Sequence, residues 1–341
     1  MNSRLAKRIG KGIRRGLVSS VFNGLNRNTE KIRSMMIAKT PDRLDRKDGI
    51  SLMIVCRNEP WLDLSIMSVK DIVDEIIIVD ASDKDWSPIV DKVARKHKAR
   101  LFRVGTNYKE QTKTAVEKSR HKWLLRWDAD FVAFPNIHGI PKFIENLDDT
   151  HHAITMTVQN LDLDPFRYNV EHPRHNEKYL FTYSPRLIRP TTPLALWFQH
   201  ALSFRGKGYV RGLPRRIGYM PAPVWFKRHR VQAPIALHLR TLKPWQRIVE
   251  KKFQPHWTLM KPEKKAKYDN DMWKLVEACC DPLKLCHRML DELEPKLKRY
   301  TGPYPSIMVG YMEHVLGVEF GNTVEFKEAM FKHLNRFWRT Y

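Results

Sequence analysis

The sequence is poor in cysteine, and the few cysteines it has are not arranged as a site. Its 341 residues include four, Cys56, Cys279, Cys280 and Cys286. Their spacing matches neither a metal-ligand motif nor a disulfide framework. This scarcity indicates a reducing, cytosolic setting.

Long apolar runs are also missing. No run approaches the roughly 20 residues that a membrane-spanning helix needs, and the longest, Ser51–Cys56 and Glu75–Val79, have the length of strands. The basic N-terminus is not followed by an uninterrupted apolar core or a small-residue cleavage site, so we expect no secretory signal. A cytoplasmic protein is expected, either soluble or peripheral at the inner face of the membrane.

Acidic residues are outnumbered by basic ones, 37 Asp and Glu against 61 Lys and Arg, which gives a formal net charge of +24. Such a charge predicts an anionic partner better than it predicts a fold. An anionic membrane surface and an anionic glycan are the favoured candidates, and nucleic acid is the less favoured one. A generally basic proteome would produce the same composition without any such partner.

Residues 1–47 form a basic segment with an apolar stripe. Leu5, Ile9, Ile13 and Leu17 recur every four residues among lysines and arginines, which is the pattern of an amphipathic helix lying on a membrane surface. Glycines within the stripe weaken a helix by about 1 kcal/mol each. A disordered tail and a helix docked on the domain therefore remain alternatives.

From Ile50 onwards, short apolar segments alternate with helical patterns. Short, continuous apolar strands separated by helices predict a parallel sheet covered on both faces. The expected strands are Ser51–Cys56, Glu75–Asp80, Arg100–Val104 and Trp123–Trp127, and the expected helices are Trp61–Ile72, Pro88–His97 and Glu110–Arg120.

The rest of the chain changes character twice. Further strands are expected at Ala153–Val158 and Tyr179–Ile188, then loops rich in Pro, Gly, Arg and aromatic residues over Pro190–Pro234. Beyond residue 241 the pattern is helical, so we divide the chain into 1–47, 48–240 and 241–341. The expected C-terminal helices are Pro244–Phe253, Pro262–Cys279, Pro282–Tyr300, Ser306–Leu316 and Asn322–Trp338.

Two acidic residues, Asp128 and Asp130, close the fourth expected strand with one alanine between them. Residues at i and i+2 of an extended chain point to the same side, and ligands of open α/β sheets bind at the carboxyl ends of the strands. Paired carboxylates there suit Mg²⁺ or Mn²⁺ bridging to phosphates. By itself, Asp-x-Asp is common in solvated turns and caps.

The segments around these strands resemble the family 2 glycosyltransferases, nucleotide-sugar enzymes with the A-type glycosyltransferase fold. The resemblance covers roughly residues 50–135 and extends weakly to about 240. It implies an α/β, Rossmann-like and mostly parallel sheet, here with a basic N-terminal arm and a helical C-terminal region. The matching segments are 51–59, 74–82, 111–116 and 123–130.

The resemblance assigns roles to residues that follow the strands. Asn58 and Glu59 match the turn that holds the base and ribose of the nucleotide, and Asp80 matches the acid that contacts the base. Gln111 and Lys113 begin a helix that faces the same crevice, where a cation would contact the diphosphate. Capping, turn formation and simple solvation explain the same residue types without a ligand.

A metal site is implied by the same resemblance. Asp128 would contact ribose or metal, Asp130 would coordinate the cation, and His238 is a plausible third ligand. The divalent cation would act as a Lewis acid on the leaving nucleoside diphosphate. Without the family context, a lone histidine in an apolar run is more often a hydrogen-bonded core residue.

The sequence departs from the family at the general base. Relatives often carry His-Glu where this chain has His200 and Ala201, and the residue after the Asp-x-Asp is Phe131 rather than the commoner acid. An inverting transfer needs a group that takes the acceptor proton. Asp162 and Asp164 are the first candidates and His200 is the next.

These features together predict a metal-dependent, inverting glycosyltransferase. It would move a sugar from a nucleoside-diphosphate sugar, with Mn²⁺ or Mg²⁺, to a hydroxyl of a cell-surface glycan or a lipid-linked precursor at a membrane face. One alternative is a transferase that acts on modified DNA bases, because the same basic charge binds phosphates. The other is a catalytically inactive nucleotide-sugar-binding module.

Overall fold

The computed structural model describes residues 47–106, 108–147, 151–182 and 227–336. Nearly all of the expected N-terminal arm, most of the expected loops over Pro190–Pro234 and the candidate base His200 lie outside these ranges. The centre of the described chain is an eight-stranded sheet with helices packed against it. This arrangement confirms the expected α/β fold class.

The large sheet has the strand order β3-β2-β1-β4-β8-β6-β9-β5, and β7 and β10 form a separate two-stranded sheet. The strands are β1 (Lys47–Cys56), β2 (Glu75–Asp80), β3 (Arg100–Arg103), β4 (His121–Asp128), β5 (Phe131–Ala133), β6 (His151–Leu161), β7 (Arg167–Asn169), β8 (Arg174–Thr182), β9 (Lys227–Leu239) and β10 (Leu297–Arg299).

The first half of the sheet is parallel. β1 pairs with both β2 and β4, and β2 pairs with β3, in the parallel direction. Residues such as Leu52, Ile54 and Leu125 are fully buried because helices cover the sheet. The four strands expected here are confirmed, and β1 and β4 extend several residues beyond the expected bounds.

The helices among the described residues include all three that were expected in the first half of the chain, although the one expected over Trp61–Ile72 ends at Met67 and a 3₁₀ turn follows it. None of them combines the length and apolar character that a membrane span requires. They are α1 (Leu62–Met67), α2 (Ser87–Lys96), α3 (Tyr108–Lys118), α4 (Ile140–Glu145), α5 (Trp245–Leu259), α6 (Pro262–Ala266), α7 (Met272–Cys279), α8 (Pro282–Leu293), α9 (Ser306–Leu316) and α10 (Thr323–Asn335).

The second half of the sheet is mixed, and it brings a late segment of the chain beside the Asp-x-Asp. β6 pairs antiparallel with β8 and parallel with β9, while β5 pairs antiparallel with β9. In this last pair Phe131 lies opposite His238, and the Leu239 amide donates to the Asp130 carbonyl at 2.9 Å. The sheet therefore fixes His238 next to Asp130.

The C-terminal helices pack onto the sheet domain. Met308, Met312 and Phe326 from α9 and α10 form one buried cluster with Trp61 and Leu237. Because these side chains share a core, the C-terminal region completes the fold around the sheet rather than standing apart from it.

Two of the expected C-terminal helices are interrupted or end early. The helix expected over Pro262–Cys279 is broken between α6 and α7, where Asp269 and Asn270 have left-handed φ values of 52° and 58°. The helix expected over Pro282–Tyr300 ends at Leu293, and a 3₁₀ turn and strand β10 follow. β10 forms because it pairs with β7, a contact more than a hundred residues away.

A tryptophan in the turn after β1 holds the segment that enters α5. The Trp61 indole N–H donates to the Leu242 carbonyl at 2.5 Å, and both residues are fully buried. Trp61→Phe should lower the free energy of unfolding by about 1–3 kcal/mol, because the carbonyl loses its buried donor. Denaturant unfolding of this variant measures the loss. Trp257→Phe, at a half-exposed tryptophan of α5, should change stability far less, and equal losses would contradict the interpretation.

Candidate functional site

The parallel strands end at a cleft of about 270 Å³, which we call the strand-end cleft. It lies beyond the carboxyl ends of β1 and β4, with the end of β9 and the face of α5 opposite. This is where open α/β sheets bind ligands. The polar side chains that line it include Glu59, Gln111, Asp128, Asp130, His238 and Lys243.

A buried ammonium group joins two buried carboxylates at the floor of the cleft. Lys243 Nζ lies 2.7 Å from Asp130 Oδ2 and 2.5 Å from Glu59 Oε1. All three residues are less than a tenth exposed. Because two carboxylates face one ammonium, the cluster carries one net negative charge.

The three charges stabilise one another. Burial by itself would raise the pKa of Asp130, but Lys243 and His238 outweigh it and hold that pKa well below its usual range. Burial likewise opposes ionisation of Lys243, yet Asp130 and Glu59 raise its pKa above the usual value. The carboxylate and the ammonium therefore both stay ionised at neutral pH.

His238 is oriented by a chain of hydrogen bonds. The Asn160 amide donates to the His172 carbonyl at 2.7 Å, so its oxygen faces His238 Nδ1, at 3.0 Å. Nδ1 therefore carries a hydrogen, and Nε2 points at Asp130 Oδ2 from 3.1 Å. A neutral imidazole would present a lone pair to a carboxylate oxygen, which is repulsive. A proton or a divalent cation between the two atoms removes the repulsion.

The Asp130–His238 pair fits a divalent cation. Adjacent ligands of an octahedral Mg²⁺ lie about 3.0 Å apart, close to the separation of these two atoms. The hydrogen bond on the far ring nitrogen is the usual outer contact of a metal-binding histidine.

Asp128 is placed less tightly. Its side chain is 38% exposed and lies 3.4 Å from Arg126. Over the part of the chain that the structure describes, no three His, Cys, Asp or Glu side chains cluster closely enough to form a metal site unaided. Mg²⁺ ordinarily takes one or two carboxylates and completes its shell with phosphates and water, so this donor set still suits it.

The residues expected to hold the nucleotide base have different surroundings. Asn58 has a left-handed φ of 51°, and its side chain both donates to and accepts from Asp83, so it shapes the turn after β1. Asp80 is buried, and its Oδ1 accepts from the Ser82 amide at 2.9 Å. Its Oδ2 is buried without a hydrogen-bond partner, 3.6 Å from Arg103 Nε.

Of the two helix residues expected to contact the diphosphate, Gln111 and Lys113, only Gln111 lines the strand-end cleft. Gln111 lines the strand-end cleft and donates to the Gly105 carbonyl at 2.8 Å. Lys113 is half exposed, pairs with Glu117 of its own helix at 3.8 Å and does not line the cleft. Residues two apart on a helix point about 200° apart around its axis, so both cannot face one cleft.

The candidate bases Asp162 and Asp164 are both buried but differ in their partners. Asp164 accepts from the Phe166 amide and from Arg167 at 2.7 Å. Asp162 Oδ2 is buried without a hydrogen-bond partner, and Arg240 lies 3.8 Å away. Burial raises the pKa of Asp162 against the opposing charges of Arg240 and His238. The third candidate, His200, lies outside the described residues.

Sequence reasoning missed three basic residues, one just before α5 and two within it. Lys243, Arg247 and Lys251 all line the strand-end cleft. Their spacing of four residues, directly after the apolar strand that carries His238, was a visible signal for one helix face. The ion pairs that Lys243 and Arg247 make with Glu59, in the turn after β1, depend on the tertiary fold and could not be inferred from the sequence.

Comparison with known proteins gives one family match. Residues 51–205 match the family described as Glycosyl transferase family 2. No curated protein sequence matches the chain.

Solved structures of low sequence identity show a weak likeness to this chain. The mannosyltransferase PcManGT from Pyrobaculum calidifontis, in complex with GDP-Man and Mn²⁺, is 12% identical, with 91% of this chain and 94% of that chain covered and a TM-score of 0.37. S. aureus TarS 1-349 is 13% identical, with 59% and 62% covered and a TM-score of 0.33. This chain thus spans less than two thirds of TarS 1-349.

A synthase, which is not a glycosyltransferase by its name, resembles this chain about as weakly as these two structures do. The 4-diphosphocytidyl-2C-methyl-D-erythritol synthase from Anaerococcus prevotii is 15% identical, with 40% and 70% covered and a TM-score of 0.28. Because these likenesses are weak, the assignment depends on the family match and on the observed α/β fold. Residues 51–205 thus match the family 2 glycosyl transferases, and this match supports a glycosyltransferase.

Proposed function

We propose that the chain moves a sugar from a nucleoside-diphosphate sugar to a hydroxyl acceptor, with inversion at the anomeric carbon and with Mn²⁺ or Mg²⁺ bound. The observation that carries the proposal is the Asp130–His238 pair, whose Oδ2 and Nε2 atoms lie 3.1 Å apart in the strand-end cleft. The family match supplies the reaction class.

The donor would occupy the strand-end cleft. Asp130 and His238, with Asp128 beside them, would hold the divalent cation, which neutralises charge on the leaving diphosphate as a Lewis acid. Asp80 does not line the cleft, and its Oδ2 is buried 3.6 Å from Arg103 Nε, so no contact with the base is assigned to it. The ion pair with Lys243 fixes the position of Glu59 in the turn after β1, so this side of the cleft would need little rearrangement when the nucleotide binds.

The transfer itself needs a base on the acceptor side. The acceptor oxygen forms a bond to the anomeric carbon, and the bond from that carbon to the diphosphate breaks with its electron pair on the leaving oxygen. The acceptor proton passes to the base. Asp162 suits this role better than Asp164, because its Oδ2 accepts no hydrogen bond, whereas both oxygens of Asp164 do.

The acceptor is proposed to be a glycan or lipid-linked precursor at a membrane face, with the protein peripheral to that membrane. The support is the net charge of +24, since each basic residue near anionic lipid adds about 1 kcal/mol of binding. Co-sedimentation with phosphatidylserine vesicles, with and without residues 1–47, tests this directly. Retention of DNA in a gel shift without vesicle binding would favour modified DNA bases instead.

Asp130→Asn should lower kcat/KM by at least about 100-fold, because it removes the charge that anchors the cation and the leaving group. Release of nucleoside diphosphate from a panel of sugar nucleotides measures the loss, and calorimetry with Mg²⁺ measures cation binding. Asp71→Asn, at an exposed acid far from the cleft, is the control. Undiminished turnover in Asp130→Asn would contradict the proposal. Failure of the wild type to bind or turn over any donor would favour an inactive module.

Asp162→Asn should lower kcat by about 10²- to 10⁴-fold and leave the donor KM unchanged, because a general base acts only on the acceptor. Burial raises the pKa of Asp162, so wild-type turnover should fall as pH drops through a value above that of an ordinary aspartate. The residual turnover of Asp162→Asn should not show this fall at low pH. Asp164→Asn should instead lower stability. A loss of kcat in Asp164→Asn, with only a loss of stability in Asp162→Asn, would exclude Asp162 as the base.

A further inference from the structure

Three basic residues follow one another along the wall of the strand-end cleft. Lys243 lies just before α5, and Arg247 and Lys251 follow on the helix at intervals of four. Residues four apart on a helix share a face, and all three line the cleft. The helix thus presents a row of positive charge to the place where the cation-binding pair lies.

The charges of the first two members are already neutralised. Lys243 is held by Glu59 and Asp130, and Arg247 forms a buried ion pair with Glu250. For Lys251, by contrast, no carboxylate of the described residues lies within 4.0 Å of its ammonium group. Its side chain is exposed to solvent, so a ligand in the cleft can reach it.

The cleft as a whole has an excess of positive charge. Basic side chains outnumber carboxylates among the residues that line it. This still holds when Glu250, which does not line the cleft but pairs with Arg57 and Arg247, is added to the carboxylates. The Nε atoms of Arg57 and Arg247 are buried without a hydrogen-bond partner. Those lining the cleft are the bases Arg57, Arg126, Lys243, Arg247 and Lys251 and the acids Glu59, Asp128 and Asp130.

The electrostatics of Lys251 point the same way. Although its side chain is exposed, protein atoms crowd its ammonium group, and this crowding together with the charge of Lys243 lowers its pKa to about 8. Burial of the ammonium group by these atoms is the largest cause of this shift and the charge of Lys243 is the second. An anion bound beside the ammonium group would oppose both and would restore the charged form of the lysine.

We propose that Lys251 binds the diphosphate of the sugar nucleotide and stabilises the nucleoside diphosphate as it leaves. This inference rests on the proposed function. When the bond between the anomeric carbon and the diphosphate breaks, its electron pair stays on the leaving oxygen, and the Lys251 ammonium meets that charge. Lys251 thereby takes the role that Lys113, turned away from the cleft, does not fill.

The test is calorimetric titration of UDP, GDP, UMP and GMP in the presence of Mg²⁺. Lys251→Ala should weaken the preferred diphosphate about 10-fold or more and the matching monophosphate much less, because a charge-assisted contact to phosphate is lost. Lys251→Arg should restore diphosphate affinity. Lys252→Ala, at the neighbouring exposed lysine that does not line the cleft, should bind like the wild type.

The pH dependence offers a second readout. The charged groups around Lys251 are Lys243, Arg247, Asp130 and Glu59. Since a free lysine with a pKa of about 8 loses its charge above that pH, wild-type affinity for the diphosphate should fall between pH 7 and pH 9. Lys251→Arg should keep its affinity over that range.

The outcomes separate the two proposals. If the wild type binds a nucleoside diphosphate and Lys251→Ala binds it equally well, the role of Lys251 is overturned while the transferase proposal stands. Equal weakening of monophosphate and diphosphate would also overturn it, because the contact would not be to the diphosphate. If the wild type binds none of the four nucleotides, both proposals fail.

Discussion

The site depends on one buried ammonium group, that of Lys243. It joins Glu59, in the turn after the first strand, to Asp130, after the fourth, although it lies 184 residues beyond Glu59 in the chain. Removing one partner of a buried ion pair leaves an uncompensated charge and costs about 3–5 kcal/mol. The same contact therefore fastens the C-terminal region to the sheet and fixes the floor of the strand-end cleft.

The topology places acidic and basic groups on different sides of the strand-end cleft. The parallel strands deliver carboxylates to their carboxyl ends, and β9, paired with β5, delivers His238 beside Asp130. Helix α5 then covers the cleft with a basic face. A divalent cation and a diphosphate need opposite surroundings, and the two walls provide them: acidic groups from the sheet and basic groups from the helix.

The first half of the fold could be predicted from the sequence because its signals are local. Continuous apolar runs such as Ile50–Cys56 mark buried parallel strands, and Asp128 and Asp130 mark the end of one. The second half depends on distant contacts. Apolar periodicity predicted two C-terminal helices that are longer than the observed ones. One is interrupted at Asp269 and Asn270, which have left-handed φ values, and the other ends before β10, which pairs with β7. The two partners of Lys243, Glu59 and Asp130, could not be inferred, since only the fold brings them near it.

Anomalous diffraction from crystals soaked with Mn²⁺ and a nucleoside diphosphate tests the central claim most directly. The account predicts a manganese peak within about 2.2 Å of both Asp130 Oδ2 and His238 Nε2, with the diphosphate between that ion and α5. A nucleotide bound in the cleft with no manganese peak between these atoms, or a manganese peak elsewhere, would contradict it.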